Sequence, residues 1–131
     1  MIQMFEKYMI VEKETGHWKE DGRIEGFRVG ARVPYYRGLG ISMIEDIQLS
    51  VDGEAIPADQ LLVELHGNHY TLKEMESEPD DRWEFGEVGT IKVKRPGGLS
   101  SGNHKIDMLF NLRISYMPVN GIRRDSKTIS F

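Results

Sequence analysis

The sequence predicts an all-β fold, an antiparallel β-sandwich or jelly-roll-like single domain. Three observations predict it. Apolar residues alternate with polar ones through most of the chain, turn signals recur about every 8–12 residues, and only one stretch offers helical spacing. The 131 residues suit one domain, in which folding removes roughly two-thirds of the extended chain's surface. A core of that size needs no crosslinks.

The elements follow in order. Residues 1–23 are expected as a peripheral N-terminal segment of the 1–131 domain. Met4, Tyr8 and Val11 fit a helix there, and Phe5, Met9 and Val11 fit a strand equally well. Phe27, Val29, Ala31 and Val33 then alternate with Arg28, Gly30 and Arg32. Ile47, Leu49 and Val51 repeat the pattern, and Asp52-Gly53 supplies the positive-φ pair of a two-residue hairpin before EAIP. LLVELHGNHYTL reads as a hairpin around Gly67-Asn68, and TIKVK as a strand. In KIDMLFNLRISYM, Ile106, Met108, Phe110, Leu112, Ile114 and Tyr116 share one face. Asn120-Gly121 turns the chain into KTISF, with Ile129 and Phe131 in register.

Composition excludes several classes. The chain has no cysteine, so disulfide frameworks and thiolate metal sites are ruled out. A net charge of −4, with only KVKRP and IRRDSK as basic stretches, argues against nucleic acid. The N-terminus lacks the apolar run and small-residue site of a signal peptide, and no segment reaches the ~18 apolar residues that span a bilayer. A cytoplasmic protein is expected.

Candidate chemistry is sparse. His66 and His69 flank a turn, with Glu64 and Glu74 nearby and His104 left to complete a cupin-type metal set. Cupin spacing differs, since its first two histidines are one residue apart on a strand. The alternatives are an interface or hydrogen-bonding role for His66, or plain turn histidines. ESEPDDR lacks calcium-ligand rhythm and reads as a solvated acidic loop. GGLSSG lacks the Lys-Ser/Thr and helix of a phosphate loop, and Ser100 and Ser101 have no adjacent base. Trp83 and Phe85 would share a strand face, in the core or along an interface. Tyr35-Tyr36-Arg37, between Pro34 and the bend-permitting Gly38 and Gly40, has the composition of a binding hot spot.

Beyond these local signals, six blocks in order resemble a known family. VPYYRGLGISMIEDI, SVDGE, LHGNHYTLKEM, RWEFG, PGGL and LRISYMP, within residues 24 to 118, resemble the small β subunit of bacterial C-glycoside deglycosidases. The resemblance implies a partner, a TIM-barrel α subunit that carries a divalent metal (manganese is expected) and the acid–base residues. It implies that the heteromer cleaves the carbon–carbon bond between sugar and aromatic aglycone, such as a flavonoid, in 3-oxo-C-glycosides. This chain would carry neither catalytic residue nor cofactor, and would be a subunit of a carbon–carbon lyase. Tyr35, Tyr36, Arg37, His66 and Trp83 are the residues expected to face the partner or its active site.

Two other readings compete. A stand-alone carbohydrate-binding domain would stack Tyr35, Tyr36 and Trp83 on sugar rings. A cupin-like metalloenzyme would use His66, His69 and His104.

Overall fold

Phe27, Val29 and Ala31 are fully buried, because alternation puts every second residue of their strand on one face. That strand, β2 (Arg23–Arg32), lies inside the larger of two packed sheets. The computed structural model describes residues 8–35, 38–113 and 121–131. Every strand pairing within it is antiparallel.

The five-stranded sheet runs β1 (Ile10–Glu20), β2, β9 (Val88–Lys94), β6 (Leu61–Leu65), β7 (Asn68–Tyr70). The four-stranded sheet runs β11 (Gly121–Ser130), β10 (Asn103–Leu112), β4 (Ile44–Val51), β5 (Glu54–Ala55). A small third ladder joins β3 (Leu39–Gly40) to β8 (Arg82–Trp83). The core lies between the two larger sheets. Ile91, Val93 and Val63 meet Ile47, Leu49, Ile106, Met108 and Phe110 there. The all-β sandwich read from alternation is the fold observed.

The segment left open between helix and strand is β1, an edge strand with Met9 and Ile10 fully buried. Its pairing with β2 skips between Val11 and Gly16, and that irregularity breaks the alternation a reader would look for. Facing it, Asp125 Oδ2 accepts from Ile10 N at 3.0 Å and Lys127 Nζ donates to Ile10 O at 2.6 Å. Two charged side chains of β11 thus satisfy backbone groups that an edge strand leaves open.

Three other expectations change. The two-residue turn after β6 is His66-Gly67, with φ of 54° and 80°, because Leu65 pairs with Asn68. Helical spacing is expected only near the N-terminus, yet the chain after β7 forms helix α1 (Leu72–Glu76). Thr71 caps it, its hydroxyl accepting from Glu74 N while Glu74 accepts from Thr71 N. That capping box holds one short turn over buried Met75. β11 is one continuous strand from Gly121 rather than only KTISF. Asp52-Gly53 is the hairpin expected, at φ of 52° and 83°. Ile114, Tyr116 and Asn120 lie outside the described residues.

Candidate partner-docking site

Strand register fixes which loops share an end of the sandwich. Ile10 contacts Asp125, while seven residues on His17 stacks at 5.6 Å on Phe131, so β1 and β11 run the same way. Ile10 pairs with Ala31, Arg32 with Val88, Leu112 with both Gly121 and Ile44, and Glu64 with Thr90. One end therefore gathers residues 8–10, residues 33–35 and 38–43, the His66-Gly67 turn, residues 81–88 and the start of β11. The opposite end holds Asp52, the 97–102 loop and His104.

The large apolar side chains exposed among the described residues are Tyr8 at 58%, Phe85 at 55%, Ile122 at 49% and Val88 at 37%. All four sit at the first end. Arg32 Nη1 donates to Tyr8 O at 3.5 Å, and Arg32 pairs through its backbone with Val88, so Tyr8 and Val88 both lie at the Arg32 end of β2. Phe85 belongs to the turn closed by Glu87 N on Glu84 O at 3.1 Å, next to Val88. Apolar surface gathered on one end is where association with another protein returns most free energy.

Trp83 supports this end from beneath. It is fully buried, edge-on to Phe110 at 5.6 Å, with its indole N–H donating to Glu87 O at 2.8 Å. The expectation that Trp83 faces a partner or a sugar is corrected. Its strand turns the indole inward over Gly89, where a Cβ would lie 2.7 Å from the ring, and Phe85 faces out instead. Gly38, at φ 70°, lies against the backbone of Trp83 and Glu84, where any Cβ would clash at 2.6–2.7 Å. Residues 38–40 are thereby pressed onto β8. Tyr35 is partly buried against the core; Tyr36 and Arg37 lie outside the described residues.

His66 ties the hairpin tip to the same segment. Its Nδ1 lies 2.7 Å from Asp81 Oδ1, and its Nε2 bonds Glu87 Oε2. The Tyr70 hydroxyl donates to the other Asp81 oxygen at 2.7 Å. A ring between two carboxylates carries a proton on each nitrogen, so it is an imidazolium with no lone pair for a metal. The Asp81 hydrogen bond, aided by Glu87, holds the His66 pKa above its ordinary value. Burial pushes the Asp81 carboxyl up, but hydrogen bonds from Tyr70, His66 and Arg82 N outweigh it and hold it low. The same carboxylate pushes the Tyr70 hydroxyl up to about 12. Asp81, expected in a solvated acidic loop, is the hub of this clasp. No spacing rule connects Asp81 to His66; only the β6–β7 turn and the 78–87 loop bring them together.

The histidines do not assemble a metal site. His69 Nε2 lies 3.2 Å from Lys92 Nζ, and His104 is at the far end. Among the described residues no group of three or more His, Asp or Glu is arranged to hold a metal ion.

His104 corrects a second expectation, since Ser100 does have a base beside it. His104 Nδ1 lies 2.6 Å from Asp52 Oδ2, and its Nε2 lies 3.3 Å from Ser100 Oγ. The outline is that of a nucleophile, base and carboxylate. Yet Nε2 is closer to the Ser100 carbonyl, at 2.7 Å, so its proton is committed to a backbone acceptor. The bond to Asp52 raises the His104 pKa, as does the Ser100 carbonyl. With Nδ1 on Asp52 and Nε2 on a carbonyl, both nitrogens donate in this geometry and neither offers a lone pair to the serine proton. This is a pin between the β4–β5 turn and the loop before β10. His104→Ala is expected to lower the urea midpoint while leaving no esterase activity to lose, as p-nitrophenyl acetate hydrolysis before and after would show.

With this geometry in place, the chain can be set beside known proteins. The family model described as C-glycoside deglycosidase beta subunit matches residues 5–116. The chain belongs to that family. A C-glycoside deglycosidase beta subunit of Eubacterium cellulosolvens is 39% identical over 98 residues, 75% of this chain and 67% of the relative. A 3'-dehydrocarminate deglycosidase beta subunit of a Microbacterium species is 31% identical over 119 residues, 90% of this chain and 85% of the relative. An Arthrobacter globiformis relative, again a C-glycoside deglycosidase beta subunit, is 26% identical over 100 residues, 76% of each chain. No helix among the described residues is long and apolar enough to cross a membrane.

Proposed function

We propose that this chain is the accessory β subunit of a heteromeric C-glycoside deglycosidase, docking on a larger TIM-barrel subunit. Membership of the β-subunit family supports a companion chain. The observation that carries the docking is the gathering of Tyr8, Phe85, Val88 and Ile122 at one end. Tyr35 lies at this end and His66 forms its rim; Tyr36 and Arg37, which follow Tyr35 in sequence, are the expected further contacts. Barrel active sites lie at the C-terminal ends of the strands, so a subunit capping that face orders loops or walls the aglycone pocket.

The reaction explains why such a complex acts on an oxidised sugar. A C–C glycosidic bond has no leaving oxygen to protonate, so the two-carboxylate route of O-glycosidases fails. One relative's name specifies a 3'-dehydro substrate. A ketone at C3 acidifies the C2 hydrogen, because the electrons left behind delocalise onto the ketone oxygen. A base takes that proton, the C1=C2 bond forms, and the aryl carbon leaves C1 with its electron pair and accepts a proton from an acid. The products are the free aglycone and an unsaturated keto sugar. In this reading the expected divalent ion and the acid–base groups belong to the larger subunit.

Co-expression with the larger subunit tests this, followed by light-scattering chromatography and an assay on a 3-oxo-C-glucoside. The pair is expected to elute together, and only the pair to release aglycone. Phe85→Asp should abolish co-elution, and the Tyr36→Ala/Arg37→Ala double variant should weaken it or raise KM. A β chain that elutes alone and adds nothing to its companion's activity overturns the reading.

A further inference from the structure

Away from the docking end, the outer face of the five-stranded sheet carries a groove of about 340 Å³. Its walls include Trp18 from β1, Arg28 from β2, Thr90 and Lys92 from β9, and Glu64 from β6. Lys92 is a hub. Its ammonium lies 5.0 Å from the centre of the Trp18 ring and 3.1 Å from Glu64 Oε1. Ammonium-over-indole contact and the carboxylate fix its position. With Lys19 included, three cations line the groove against one carboxylate, in a chain whose net charge is −4.

Arg28 is the unmatched group. It is exposed and makes no ion pair among the described residues. Directly across the ladder from it stands Gly16, and a Cβ at Gly16 would meet nothing within 4 Å. The guanidinium thus has open space beside it and a half-buried indole two residues along the neighbouring strand. A planar fork of N–H donors matches a carboxylate in two parallel bonds, and the indole offers an apolar surface to a flat ring. A larger hollow of about 520 Å³ lies on the outer face of the other sheet, around Ser50, Asp107 and Ser126. No aromatic side chain lines it, so it lacks the second half of this pairing.

We propose that the groove between Trp18 and Arg28 binds an aromatic carboxylate, with the ring against Trp18 and the charge on Arg28 and Lys92. Neither the docking end nor the histidine clasp contributes to it, and the site is complete in this chain alone. It stands whether or not the accessory-subunit reading does.

The chain has two tryptophans, one in the groove and one in the core, which gives the test an internal control. 4-Hydroxybenzoate is titrated into the ¹⁵N-labelled full chain while both indole N–H resonances are followed, Trp18→Phe providing the assignment. The expected result is a saturable shift of Trp18 with Trp83 unmoved. Arg28→Gln should weaken binding on the order of tenfold, as loss of a charge-assisted hydrogen bond predicts. Arg28→Lys, which keeps charge but not the fork, should fall between. An otherwise unchanged spectrum shows that each variant is folded. Absence of a saturable shift overturns the site. Equal binding of neutral 4-hydroxybenzamide overturns the anionic specification, and equal binding of glucuronate overturns the aromatic one.

Discussion

Replacing Trp83 with alanine is expected to destabilise the fold by about 3–5 kcal/mol, the range for deleting a large aromatic from a close-packed core. Trp83 is fully buried, rests over Gly89, meets Phe110 edge-on and donates to Glu87 O. Removal therefore leaves a void and removes the donor from the half-buried Glu87 carbonyl. For a domain whose total stability is typically about 5–15 kcal/mol, that is a large share of the whole. Urea denaturation followed by far-ultraviolet circular dichroism measures it. Phe85→Ala, two residues away but exposed, should move the midpoint by less than about 0.5 kcal/mol. A Trp83→Ala cost below about 1 kcal/mol would contradict the core position. The pair separates stability from docking, since Phe85 variants should lose the companion while staying folded.

Trp83 and Phe85 also show what a sequence reader can and cannot see. Both belong to DRWEFG, and strict alternation would put both rings on one face. β8 is only two residues long, and the turn at Gly86, φ 82°, redirects Phe85 outward. Long strands behaved otherwise. Ile106, Met108, Phe110 and Leu112 are all buried as alternation required, because a ten-residue strand averages over local exceptions. β1 was obscured because charged residues fill IVEKETGHWKE and a register shift interrupts it. Its burial is decided by Asp125 and Lys127, more than a hundred residues away. The hot-spot reading of Tyr35-Tyr36-Arg37 rests on composition, which is a local property. The four exposed apolar residues come from three distant stretches of chain, at Tyr8, Phe85–Val88 and Ile122, so only the register could assemble them.

The His66 turn carries the second large effect. A non-glycine residue at φ 54° is held in the left-handed region at some cost, which the bonds to Asp81 and Glu87 offset. Asp81→Asn is expected to cost about 1–3 kcal/mol, because it removes a charged acceptor from both Tyr70 and His66. The sign of the pH dependence follows from the two shifts. His66 is raised from 6.5, so its contribution is full below that value and is lost as pH rises through the folded-state pKa. Asp81 is lowered from 3.8, so its contribution is full above that value and is lost as pH falls through its folded-state pKa. Stability should therefore plateau between the two ordinary values and decline on either side. His104, raised by Asp52, adds a second alkaline decline of the same sign. Urea midpoints across pH separate them. His66→Gln should remove part of the alkaline slope, and the double variant with His104→Gln should flatten it further. A His66→Gln slope equal to wild type would mean that the clasp does not form. Because Asp81 and Glu87 flank the turn that carries Phe85, loss of the clasp should reach function too. Affinity for the larger subunit should fall over the same alkaline range in wild type and be low throughout in His66→Gln.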